Sequence, residues 1–576
     1  MQTRLAVPLV ALSVLLSACQ GMPAVPMQAS AAEKPAPATD PTLPRTPLTA
    51  DVLYFTLLGE IAGLRGQLDV SVGALSRAAQ KTRDPRLAER ATLAALYARK
   101  PQEALTNARL WVEIRPESGE AREALAAAYM ENGKRDEARE QFEILLARAG
   151  SKDVLAQAYL RIATVLGRQS NRNEALGLMR QLVEKHPSDA VAHYALAHLA
   201  VRVSDLATAT QAIDRALALN PDWEDAALFK ARVLVSMKDM TRVQHFHEQY
   251  LGDHPRATGM RLSYARVLID LKQWDKAREQ YKKVTAANPR DADAMFMIAQ
   301  LALQSNDLND AEKYLKRTLE LQPENDQARL TLGQVAEQQK RYEDAISSYS
   351  AVESSELQFD AQTRLGVALA AQGKLDQARA HLQALSPKSE AEKVQLALAE
   401  EQILRDARRF SEAMDVLTRV LGDLPDNTDL LYARALVAEK LNQIDVAEKD
   451  LRRILKKDPK NSNALNALGY TLADRTNRYQ EALGFIEQAL AQKPDDPFIL
   501  DSMGWVHYRL GNHNEAVKHL RSALDKRADA EIAAHLGEVL WVMGDRAGAE
   551  LVWKGALKQT PDNEALLGVI NKFKAK

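Results

Sequence analysis

The chain has 576 residues, with 76 lysines and arginines against 77 aspartates and glutamates, a net charge of −1. That balance argues against nucleic acid as the main partner, which would favour an excess of basic surface. Hydrophobic residues make up 46% and lie throughout, and the single cysteine leaves no intramolecular disulfide to be made.

Arg4 precedes an apolar run from Leu5 to Leu16, which leads into Ser17, Ala18 and Cys19. A cationic start, a short apolar core and small residues at a cleavage point describe a secretory signal over residues 1–18. The run is too short to span a bilayer comfortably. Leu16-Ser17-Ala18-Cys19 resembles the lipobox of bacterial lipoproteins. That resemblance implies cleavage before Cys19, which becomes the diacylated and N-acylated first residue. With Gln20 next rather than an aspartate, it also implies the periplasmic face of the outer membrane. Several acyl chains anchor stably where one is marginal. The alternative is an ordinary signal peptide with an incidental cysteine.

Residues 19–50 read as a disordered tether. Seven prolines lie among alanines and polar residues, without a helical period. Extended, such a segment reaches on the order of 90 Å. The first helix is expected near Asp51, a plausible N-cap. Residues 52 to 116 are repeat-like but degenerate, with Gly59, Gly66 and Ala78 in one unit and Ala104 and Trp111 in the next. Gly59 and Gly63 read as close soluble packing.

From there the period is plain. Pro187, Pro221, Pro255, Pro289 and Pro323 each follow the last by 34 residues, Pro425 and Pro459 keep the step, and Pro494 follows at 35. Small residues pair twelve positions apart at Ala126/Ala138, Ala163/Ala175, Ala197/Ala209, Ala265/Ala277, Ala299/Ala311, Gly333/Ala345, Gly366/Ala378, Ala435/Ala447, Gly504/Ala516 and Gly537/Ala549. Small residues at fixed spacing mark where two helices cross closely. The pattern resembles the tetratricopeptide repeat family over about residues 52 to 561. The resemblance implies an all-α solenoid superhelix of about fifteen helix-turn-helix repeats. Asp222, Asp291 and Asp562 look like N-caps. The unit from Asp222 to Pro255 is irregular, with Val243 at its second small position. The spacing slips at 354–358 and again at 386–389, beside Pro387. The second slip divides an N-terminal array, 51–385, from a C-terminal array with a final helix, 386–576. Residues 386–393 are either a hinge between them or a longer loop.

No catalytic constellation stands out. His247-Glu248-Gln249-Tyr250-Leu251 begins like a zinc-protease helix but has leucine where the second histidine belongs. His245, His247 and His254 read as surface histidines rather than metal ligands. Asp69-Val70-Ser71-Val72-Gly73 lacks the first glycine of a nucleophile elbow. No metal or cofactor is expected, and the chain reads as a non-enzyme. What remains is a surface. The family resemblance implies that the first helix of each pair lines a concave face, with positions two, five, nine and twelve pointing into it. With the small residue as position eight, those positions include Tyr432, Asn463, Asn466, Tyr470, Phe498, Asp501, Trp505, Tyr508 and Trp541. Aromatic groups beside polar ones suit protein recognition. The alternative is that these rings pack between helices.

Together with the lipobox, three blocks resemble a group of long proteobacterial lipoproteins: Asn463 to Arg475, Leu500 to Val506, and Arg83-Asp84-Pro85 to Ala88-Glu89-Arg90. That resemblance implies an adaptor that brings peptidoglycan hydrolases to a periplasmic carboxyl-terminal processing serine protease for proteolysis. An assembly factor for an outer-membrane secretion or polysaccharide export machine is the alternative. A hydrolase with an unrecognised site near His245 and His247 is a third reading.

Overall fold

The computed structural model describes residues 47–574. The expected signal, Cys19 and residues 19–46 of the tether lie outside them. The described residues hold 31 α-helices and no strand, so fifteen helical pairs are followed by one last helix. Numbered in chain order, they run from α1 (Ala50–Leu64) to α31 (Glu564–Lys574). This is the expected all-α repeat architecture.

The pairs form because each helix has one apolar stripe and a small residue at its crossing point. Ala126, Ala138, Ala197, Ala209, Ala299, Ala311, Ala447 and Ala516 are all fully buried. Glycine appears where the partner helix comes closest. A methyl group on Gly504 would lie 2.5 Å from Leu520 Cγ and 3.0 Å from the Ala516 carbonyl oxygen. Two of the units that depart from the rule show how a larger side chain is accommodated. Val243 fills the second small position and is fully buried in a small cluster with Leu234 and Val267. Glu401, twelve residues before Ala413, takes the first small position; its carboxylate is buried and receives Arg405 Nε at 2.7 Å.

The turn inside each pair is also repeated. Fourteen described residues have a positive φ, and only five of them are glycine. The others include Lys238, Lys272, Lys340, Asn306 and Asn442, spaced to fall between first and second helices. Between pairs, the residue six after the loop proline caps a carbonyl. Arg122 Nη2 donates to Pro116 O at 2.8 Å, Arg261 Nη2 to Pro255 O at 2.7 Å, and His193 Nε2 lies 3.1 Å from Pro187 O. Arg329 bonds Pro323 O in the same way. Thus the proline loops are held by their own repeats.

Several expected caps move. The first helix is capped by Thr49, not Asp51, which sits in the first turn. Asp291 does cap its helix, accepting from Ala294 N at 2.9 Å. Asp222 does not: the next helix begins after Trp223, and Asp222 instead meets His254 Nδ1 at 3.2 Å. Asn563 rather than Asp562 caps α31, accepting from Leu566 N at 3.0 Å. The slips at 354–358 and 386–389 arise from short second helices, Tyr342–Ser350 and Leu375–Ala384.

The described chain forms two compact units, one ending at Asn306 and one starting at Asp307. The division expected at 385/386 lies inside the second unit. There one hydrophobic cluster includes Ala378 and Leu382 before the loop and Ala397 and Ile403 after it. In the second unit the first helices of successive pairs pack on one another: Thr428–Lys440 (α23) on Ser462–Arg475 (α25), α25 on Pro497–Arg509 (α27), α27 on Ala530–Val542 (α29), and α29 on α31. The second helices of successive pairs do not pack in this way. These closely packed first helices are the row that the repeat resemblance expects to line a groove.

Two stability changes follow. Gly504→Ala must displace Leu520 or the helix backbone, and is expected to destabilise by about 1–3 kcal/mol in denaturant titration. Lys272→Gly relieves an exposed left-handed residue, and is expected to stabilise by about 0.5–1 kcal/mol after glycine's entropy is counted.

Candidate protein-binding groove

Four of the expected groove residues come together around one that was not expected, His535. Its Nδ1 lies 2.9 Å from Asp501 Oδ1, and its ring stacks on Trp505 with centroids 4.2 Å apart. Trp505 Nε1 donates to Asp474 Oδ1 at 3.1 Å. Tyr508 lies 5.1 Å from Trp505 and donates its hydroxyl to Glu538 at 3.2 Å. Tyr470 lies 6.2 Å from the His535 ring. Asp501 and Trp505 are 8% and 7% exposed, so both are groove floor rather than free surface. Tyr470 and Tyr508 are half-buried.

The rest go elsewhere. Asn463 is exposed and receives Lys493 Nζ at 3.2 Å. Asn466 is buried, and its Oδ1 has no hydrogen-bond partner. Phe498 lies under the Arg527 guanidinium at 4.9 Å. Tyr432 packs against the hydrophobic cluster of its own region. Trp541 stacks on Trp553 at 5.6 Å and faces Phe573 of α31, so it serves chiefly to seat the last helix.

The electrostatics follow from burial. Burial disfavours the charged His535 ring, but the Asp501 carboxylate, with Glu531 and Asp474 beyond, overcomes it and raises its pKa above the ordinary value. Burial and then the Glu538 carboxylate push the Tyr508 phenol up to about 12. Tyr470 is raised well above its usual value by burial and by Asp474, Asp501, Glu439 and Glu531. Glu439, Glu531 and Glu538 occupy positions twelve, two and nine of their repeats, so the same register that yields the aromatics also yields these acids. His535 is at position six, outside that register.

A smaller aromatic set lines the first unit. Tyr194 and His198 hold positions five and nine of their repeat, and His198 stacks on Phe229 at 4.0 Å. Burial, then Arg232 and Arg202, lowers the His198 pKa to about 4. In the same unit a cavity of about 580 Å³ is lined by Glu89, Leu93, Tyr97, Trp111 and Glu123, among others. The histidines of the irregular repeat do not converge. His245 is exposed, and His254 lies on Tyr250 with ring centroids 4.3 Å apart. His247 is not a surface residue: it is fully buried, with Nδ1 2.8 Å from Val243 O and Nε2 3.1 Å from Ser263 Oγ. Among the described residues no group of His, Cys, Asp or Glu is placed to hold a metal ion.

The family model described as Tetratricopeptide repeat matches residues 123–190, 160–223, 262–308, 296–356, 432–497 and 502–566. The chain belongs to the tetratricopeptide repeat family. A TPR repeat-containing protein of Pseudomonas aeruginosa is 40% identical over 494 residues, covering 85% of this chain and 82% of that one. A bacteriophage adsorption protein A of Escherichia coli is 30% identical over 113 residues, 20% of this chain and 11% of that protein. Among solved structures, a tetratricopeptide repeat protein from Parabacteroides merdae gives a TM-score of 0.33 at 16% identity, covering 49% of this chain and 97% of that one. Yeast Tom70 gives 0.34 at 14% identity, covering 90% and 99%. Tetratricopeptide arrays are protein-binding scaffolds, and the family is in general not catalytic.

The raised His535 pKa makes stability depend on pH. The charged ring gains from Asp501 only when folded, so this contribution is complete below the unfolded value of about 6.5 and is lost as pH rises through the higher folded value. The thermal stability of the wild type is expected to fall as pH rises over that interval, and His535→Gln to remove that step.

Proposed function

We propose that the chain is a non-catalytic, lipid-anchored scaffold of the cell envelope. In this reading Cys19 carries the acyl groups, residues 19–50 hold the array off the membrane, and the groove holds protein partners. The observation that carries it is the inner row of first helices with its aromatic and carboxylate floor at Tyr470, Asp501, Trp505, Tyr508 and Glu538. Such a surface anchors another chain without a nucleophile, an acid–base pair or a metal being arranged for turnover.

The finer reading follows the sequence blocks that resemble LbcA, the lipoprotein adaptor of a carboxyl-terminal processing protease. On that reading the scaffold delivers cell-wall hydrolases to the protease by holding both at high effective concentration. The 40% identical Pseudomonas relative, which matches most of this chain, is consistent with a shared architecture.

Affinity capture from detergent-solubilised envelope tests it. Recovery of a serine protease together with peptidoglycan hydrolases is expected from the wild type. Cys19→Ser is expected to leave the protein unacylated and out of the membrane fraction. Recovery of neither enzyme, or of a barrel or secretin in their place, would overturn the proposal.

A further inference from the structure

The floor of the C-terminal groove holds acceptors that the fold leaves open. Asn466 is 9% exposed, stands one helical turn before Tyr470 on α25, and has an Oδ1 without a partner. The Tyr470 hydroxyl makes no hydrogen bond within the described residues. Around it act the carboxylates of Glu439, Asp474, Asp501 and Glu531. Beside them lies the half-buried Tyr508 ring, packed against Trp505 at 5.1 Å. Every one of these groups accepts N–H or attracts positive charge.

The cations already present are of a different kind. Glu439, Asp501 and Glu538 are 6%, 8% and 4% exposed, fixed in the floor. Their full-charge partners reach in from outside: Arg475 Nη2 is 3.0 Å from Glu439 with a side chain 37% exposed, and Lys572 Nζ is 2.8 Å from Glu538 with a side chain 58% exposed. Asp501 has only the His535 ring. A buried carboxylate needs a counter-charge, whereas a long exposed side chain gains little from supplying it. Arg475 and Lys572 are therefore exchangeable.

We propose that this groove takes a lysine or arginine side chain from an extended segment of a protein partner. The charged head displaces Lys572 at Glu538, and the apolar stem lies along the half-buried Tyr508 ring. The inference rests on the scaffold reading and adds the chemistry of what the scaffold recognises. A metal ion does not fit, since no metal-ligand group is assembled among the described residues. A free carboxyl terminus does not fit either, because the floor is already acidic.

The test uses the full chain and four fluorescein-labelled, amidated dodecapeptides of one neutral sequence. They carry a central pair of arginine, lysine, citrulline or glutamate. Arginine and lysine peptides are expected to bind at least about tenfold more tightly than citrulline and glutamate peptides in fluorescence polarisation. Raising salt from about 50 to 300 mM is expected to weaken the cationic peptides selectively. Glu538→Gln is expected to lower their affinity about fivefold or more. Lys572→Met, which removes the internal competitor, is expected to raise it about threefold, an outcome misfolding cannot produce. Equal binding of arginine and citrulline peptides, binding by none of the four, or no tightening in Lys572→Met would overturn the proposal. If capture from the envelope succeeds while the peptides do not discriminate, the scaffold stands and cation recognition falls. If the peptides discriminate while capture fails, only the named partners fall.

Discussion

The whole array depends on how closely two helices cross within each pair. That distance is set by a side chain no larger than a methyl group at fully buried positions such as Ala126, Ala138, Ala311 and Ala516. Close-packed interiors tolerate little added volume there. Because the crossing repeats every 34 residues or so, the first helices stay in register and their groove-facing positions form continuous rows. The exceptions show the constraint at work. Val243 keeps the crossing apolar and is accommodated within its own small cluster. Glu401 keeps it only because Arg405, one turn later, meets the buried carboxylate.

Features set by hard sterics were therefore legible in the sequence. The small-residue pairs, the proline period and the final helix after fifteen pairs could all be read there. Caps were less legible, because one or two residues decide where a helix starts. Asp291 caps its helix, but Thr49 and Asn563 do the work that Asp51 and Asp562 suggested. His247 was misread as surface. A histidine whose ring nitrogens are satisfied by a carbonyl four residues back and by a serine from the next helix leaves no signature in composition. In the groove, the repeat register reached Tyr470, Asp501, Trp505 and Tyr508. It also contained Glu439, Glu531 and Glu538, which a search for aromatic anchors passes over. His535 could not be reached that way, since it enters from position six and joins the cluster only through stacking and the Asp501 pair.

The groove joins two kinds of group that differ in freedom. Its carboxylates and rings stand on the tightly packed first helices, held by neighbours one repeat away. Its positive charges are carried on long side chains at the rim, including Lys572 from the last helix. Fixed acceptors with long-armed donors at the rim give a surface prearranged for a single sign of visitor. Little reorganisation is needed on the fixed side when a partner arrives.

The apolar interior of the second unit is a succession of clusters around Tyr349, around Leu417 and Leu468, and around Trp553, joined at Leu369 and Tyr508. In a molecule built this way a change of side chain is felt by neighbouring repeats and hardly beyond them. Divergence can then rewrite the binding floor near Trp505 while leaving remote repeats thermodynamically indifferent. Inheritance of the scaffold and inheritance of its specificity become separable.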